Sequence, residues 1–143
     1  MSRTLLGVLL ALAVPAGADA ASHAAPIPVS AQQRASIVRL NGYVGQLVGL
    51  TRTISTGVEV KTARIRALRA SIATWRRSNA TRFGGRLAPV AQLAATSVAV
   101  LGALDDVETR GGHAATTRYG AAVIAFDGAA TRYSALRFVQ RAR

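Results

Sequence analysis

Residues 31–79 decide the fold: AQQRASIVRLNGYVGQLVGLTRTISTGVEVKTARIRALRASIATWRRSN. Ile37, Leu40, Val44, Leu47, Thr51, Ile54 and Val58 recur with heptad spacing, and Ile65, Leu68, Ile72 and Trp75 continue the register. Spacing of three and four residues puts such positions on one face of an α-helix. Ser30 stands where an N-cap oxygen is needed. Gly42, Gly45 and Gly49 interrupt the helix interior. Each costs up to about 1 kcal/mol relative to Ala, so a compensation is expected. Gly45 and Gly49 have the small-xxx-small spacing of tight helix pairs, which predicts close approach by a neighbouring helix.

One helix across the whole stretch is an alternative, and it would make a three-helix protein with a long helix over 31–79. A break near residue 56 is favoured. Thr56-Gly57-Val58-Glu59 matches a capping box, with Thr56 as N-cap and Glu59 reaching back. Gly57 can take the positive φ that a tight turn requires. The break also yields helices of similar length.

Downstream, residues 79–86 read as a loop because of Gly84-Gly85 and their polar neighbours. A third helix starts near Leu87, tolerates Pro89 in its first turn, and runs to about Thr109. Arg110-Gly111-Gly112 ends it. A fourth helix is expected from His113 or Ala114 almost to Arg143, with a stripe of Tyr119, Ala122, Phe126, Ala129, Tyr133 and Leu136. No strand-like alternation of useful length appears. The expectation is an all-α, antiparallel up-down-up-down four-helix bundle over 31–143.

Upstream of the bundle, Met1-Ser2-Arg3 is a short basic start, and Leu5–Val14 is an apolar run. Pro15 and Gly17 follow, then Ala18-Asp19-Ala20. That pattern is a Sec-type secretory signal peptide over 1–20, with cleavage expected after Ala20. It predicts a periplasmic or secreted protein of bacterial type. Removing the first 20 of 143 residues leaves 123, enough for one domain. Residues 21–30, with Pro26 and Pro28, read as a flexible leader. The absence of Cys excludes disulfides, thiolate metal sites and haem attachment through Cys, so helix packing must hold the fold.

Residues 87–104 contain no charge. Such a segment is either a buried helix or a membrane span. Its many alanines and the mid-segment Thr96 and Ser97 favour burial.

The formal charge is +12. A codon-composition bias explains Arg in place of Lys, but not the scarcity of acidic residues. A surface this cationic attracts anionic partners. The densest set is Lys61, Arg64, Arg66, Arg69, Arg76, Arg77, Arg82 and Arg86, on the second helix and its following loop. Lys61 falls within the apolar stripe, where it either snorkels from the bundle end or lines an inter-helix pocket. Trp75, Tyr119, Phe126 and Tyr133 are core by their spacing, or the wall of a ligand slot between helices. Asp105, Asp106 and Glu108 crowd a helix C-terminus, where the macrodipole disfavours them. Arg110, Arg82 or Arg86 would offset them. A divalent cation with His113 is the sharper alternative, but the spacing matches no ligand motif.

No nucleic-acid-binding signature accompanies the charge, so sequence-specific binding of nucleic acid is not expected. No hydrolase, metalloprotease or phosphate-loop motif is present. No catalytic residue, cofactor or metal is implied. The sequence therefore reads as an exported, non-enzymatic protein that binds an anionic polymer, a lipid headgroup or an acidic protein surface. A small periplasmic enzyme or ligand carrier with an inter-helix pocket is one alternative. A membrane-associated protein using 87–104 is another. Oligomeric state is not encoded in any readable pattern.

Overall fold

The computed structural model describes residues 25–141; the signal-peptide reading of 1–20 lies outside the described residues. The elements in order are β1 (Ile27–Val29), α1 (Ala31–Ser55), α2 (Thr62–Ser78), a single 3-10 turn (Gly85–Leu87), α3 (Ala88–Thr109), α4 (His113–Ser134) and β2 (Phe138–Gln140). The chain is all-α with four helices, plus one small strand pair.

Ser30 caps α1 through a reciprocal box. Its Oγ accepts from the Gln33 N–H at 3.1 Å, and Gln33 Oε1 accepts from the Ser30 N–H at 2.9 Å. The Gln33 amide then donates to the Arg82 carbonyl at 3.1 Å, tying the start of α1 to the loop after α2. Ile37, Leu40, Leu47 and Leu50 turn inward.

The helix break falls where expected, but its chemistry differs. Thr56 closes α1 rather than opening α2. Its N–H bonds the Arg52 carbonyl and its hydroxyl donates to the Thr53 carbonyl at 2.7 Å. Gly57 follows at φ 77°. The chain then runs through Val58 to Val60 and tucks Val60 into the core before Lys61 caps α2. Burying Val60 takes more chain than the capping box would allow. The single long helix over 31–79 does not form.

The glycine expectation is overturned. Among the described residues, a Cβ added at Gly42, Gly45 or Gly49 would meet nothing within 4 Å. These positions lie roughly half a turn round α1 from Leu47, on the side that Val38 also leaves exposed.

α3 is the structural spine. Val90, Leu93, Ala94, Ser97, Val100, Leu101 and Leu104 are buried along it. Ser97 is fully buried, and its hydroxyl donates to the Leu93 carbonyl at 2.7 Å. The contacts of α3 with α2 and with α4 run in opposite chain order. Arg66 meets Asp105 while Arg69 meets Gly102, and Gln92 meets Arg132 while Asp106 meets Arg118. α1 is tied in by two side chains from elsewhere. Trp75 Nε1 donates to the Ser36 carbonyl at 2.9 Å, and the Tyr133 hydroxyl donates to Asn41 Oδ1 at 2.6 Å. Among the described residues, Gly85–Thr109 is the one helical stretch long and apolar enough to cross a membrane, with mean hydropathy 1.8. In this fold that stretch supplies the surface on which α2 and α4 pack.

Two segments depart from the sequence expectation. Residues 27–29 of the anticipated leader form β1, with Ile27 and Val29 buried. α4 ends at Ser134, not near Arg143. The chain then forms β2, parallel to β1, with Ile27 opposite Phe138 and Val29 opposite Gln140. The Ile27 N–H donates to the Arg137 carbonyl at 2.7 Å, and the Arg141 N–H donates to the Val29 carbonyl at 3.0 Å. Pro28 lacks an N–H and is tolerated because β1 has only one partner strand.

Candidate anion-binding face

At 100° per residue, Arg69 and Arg76 share the edge of α2 that borders α3, while Arg66 and Arg77 point farther from the core; Arg66 reaches α3 through its pair with Asp105. Arg66 Nε donates to both Asp105 carboxylate oxygens at 3.0 Å. That hydrogen bond, reinforced by the charge of Asp105, lifts the Arg66 guanidinium above its usual pKa. Arg69 lies flat over α3. A Cβ at Gly102 would come within 3.2 Å of its guanidinium, so the missing side chain is what admits the arginine.

The other cations are dispersed. Lys61 stands exposed at the start of α2 and makes no side-chain cap bond. Roughly 20 Å of helix separates it from Trp75, so the two cannot share a pocket. Arg77 donates to Thr74 Oγ1 and Arg82 to Asn79 Oδ1, both at 3.0 Å. Arg86 donates to the Ala25 carbonyl at 3.0 Å. The fold thus brings Arg69 and Arg76 to one edge and leaves Arg82 and Arg86 at the loop end.

The acidic cluster is offset by cations other than those expected. Asp105 pairs with Arg66, and Asp106 lies 4.0 Å from Arg118 of α4. Arg110 takes no part in either pair. Among the described residues no group of three or more His, Asp or Glu side chains could hold a metal ion.

Arg118 is the functional candidate that sequence reasoning missed. It sits in the first turns of α4, far along the chain from α2, and no linear pattern connects the two. In the fold, Arg69, Arg76 and Arg118 border one groove of ≈ 510 Å³. α3 forms its floor, with Ala95, Ala99 and Gly102. A second groove of ≈ 450 Å³ shares Arg76 and continues past Ala73, Arg77 and Ala91.

The aromatic side chains do not share a slot. Trp75 is buried and stacks on Phe83, with ring centroids 5.5 Å apart and planes inclined by 12°. Phe126 is buried beside Leu47, Val100 and Val123, where the residual void is ≈ 10 Å³. Tyr119 and Tyr133 are half-buried. Burial raises the pKa of both hydroxyls, and the Asn41 hydrogen bond partly offsets the rise at Tyr133. Trp75 and Phe126 therefore fill the core at different places.

Comparison of the chain with protein-family models, with curated proteins and with solved structures finds no match.

Proposed function

We propose that this protein is an exported, non-enzymatic helical bundle that binds an anionic partner through the arginine face of α2. One observation carries the reading. The side chains of Arg64, Arg69 and Arg76 make no hydrogen bond or ion pair among the described residues, on a chain of net charge +12. Such charge, unspent on the fold, raises the local concentration of anions at the surface. The partner classes that match are an envelope polymer, a lipid headgroup and an acidic protein surface.

Retention of the mature protein on heparin and on anionic liposomes tests the reading. Retention at low ionic strength should fall steeply with salt, because each phosphate or sulfate contact releases counterions. The combined Arg64→Gln, Arg69→Gln and Arg76→Gln variant should elute earlier. No retention at low salt overturns the proposal. Carbonate extraction separates it from the membrane-associated reading built on 87–104: release into the soluble fraction supports the present one. An N-terminus beginning at Ala21 in the native protein supports export.

A further inference from the structure

We infer that the groove over α3 is a docking site for an acidic amphipathic helix of a partner protein. This rests on the anion-binding reading above and names the occupant. The groove is a trough, with α3 as floor and the flanks of α2 and α4 as walls. Arg76 stands on one wall and Arg118 on the other, and Arg69 reaches from the α2 wall onto the floor at Gly102. Only Asp106 opposes them, and it already lies near Arg118.

The floor decides the shape of the occupant. Ala91, Ala95, Ala99 and Ala103 repeat every four residues along α3. The row is about 18 Å long. Alanines at this spacing leave a shallow furrow along the i±4 direction, into which the ridge of another helix fits at a short interaxial distance. Arg69 and Arg76 are one heptad apart, about 10 Å along the axis. Carboxylates one heptad apart on a docked helix would meet them.

The other occupants fit less well. A second copy of this chain would set arginine walls against arginine walls. A bilayer requires large apolar side chains to insert, and the exposed ones (Val38, Val58, Ile124 and Val139) line no part of this trough.

The test uses the whole mature protein and a synthetic amphipathic peptide of roughly 18 residues, long enough to span the trough. The peptide carries Glu residues one heptad apart beside an Ala/Leu face. Fluorescence anisotropy should show binding to the wild type, and much weaker binding of a scrambled peptide of equal composition. Ala99→Trp fills the exposed floor without changing charge. It should lower affinity for the designed peptide by roughly tenfold or more, as a built-in clash does. Its circular dichroism melt should match the wild type. Arg76→Gln with Arg118→Gln leaves the floor intact and should also weaken binding. Equal binding of the scrambled peptide, or indifference to Ala99→Trp, overturns the docking site while leaving general anion binding standing. Equal sensitivity of anionic-vesicle binding to Ala99→Trp overturns the helix as occupant. Loss of heparin retention by the wild type instead strikes the underlying reading.

Discussion

α1 and α3 both carry rows of small residues at helical spacing, yet they meet opposite fates. Gly42, Gly45 and Gly49 on α1 face open space. Ala95, Ala99 and Gly102 on α3 lie at the bottom of a groove walled by arginines. The rows themselves do not explain the difference; the flanks do. α3 has α2 on one side and α4 on the other, whereas the glycine side of α1 has no neighbour among the described residues. A small-residue row becomes the floor of a groove only where other elements rise beside it. On α1 the same kind of row merely weakens the helix.

The largest test of this contrast is Leu101→Ala, on the buried side of α3. Leu101 is fully buried, so its truncation should cost about 3 kcal/mol or more in chemical denaturation. Val38→Ala, on the open side of α1, should stay within about 0.5 kcal/mol of wild type. Comparable losses would erase the distinction between core and periphery.

Gly45→Ala and Gly49→Ala come next. Nothing obstructs a Cβ at either position, and both lie in helix interior. Each should stabilise the protein by about 0.5–1 kcal/mol, seen as a rise in Tm. A fall would mean that a partner or a second helix does approach there.

Asp127→Asn addresses α4 next to Phe126, which packs against Leu47 of α1. One carboxylate oxygen of Asp127 is buried without a hydrogen bond, and desolvation raises its pKa above the ordinary 3.8. A raised folded-state pKa means that ionisation opposes folding. The penalty is present above the folded pKa and disappears as pH falls below the unfolded one. Asp127→Asn should therefore raise Tm modestly at neutral pH, with the gain fading towards pH 4 and below. A pH-independent difference would refute the desolvation argument.

Gly102→Ala should do least. The new methyl meets only the guanidinium of Arg69, the far end of a flexible side chain. The helix-propensity gain and the displacement of Arg69 should nearly cancel, leaving stability within about 0.5 kcal/mol of wild type. The contrast with Gly45→Ala is the informative quantity. Equal stabilisation at both sites would show that Arg69 does not rest on α3.

Much of this was legible along the chain. The Ser30 cap, the interruption near Thr56, the loop before Leu87 and the Gly111-Gly112 stop each rest on local backbone chemistry. The structure has its helix boundaries near all four. Local chemistry also misled at Thr56, where a capping-box match was outweighed by the burial of Val60. β1 and β2 escaped notice because each has only three residues and its partner lies at the other end of the fold. No periodicity reveals a parallel pair of that length.

The candidate site divides in the same way. The cationic edge of α2 follows from the heptad spacing of Arg69 and Arg76, because helical geometry places them together whatever surrounds them. The fates of the arginines do not follow from it. Arg66 is neutralised by Asp105, Arg69 lies on Gly102, and Arg118 joins from α4. Each depends on which helices become neighbours and in what register.

By itself the sequence determined the four helices, the surplus of positive charge and the reliance on packing without disulfides. These follow from nearest-neighbour backbone preferences, side-chain periodicity and composition. Only the tertiary structure decided which face of α3 was left open, which small residues line a groove and which arginines stay unpaired. Those are relations between elements far apart in the chain, set by the packing of apolar surfaces that no single segment contains.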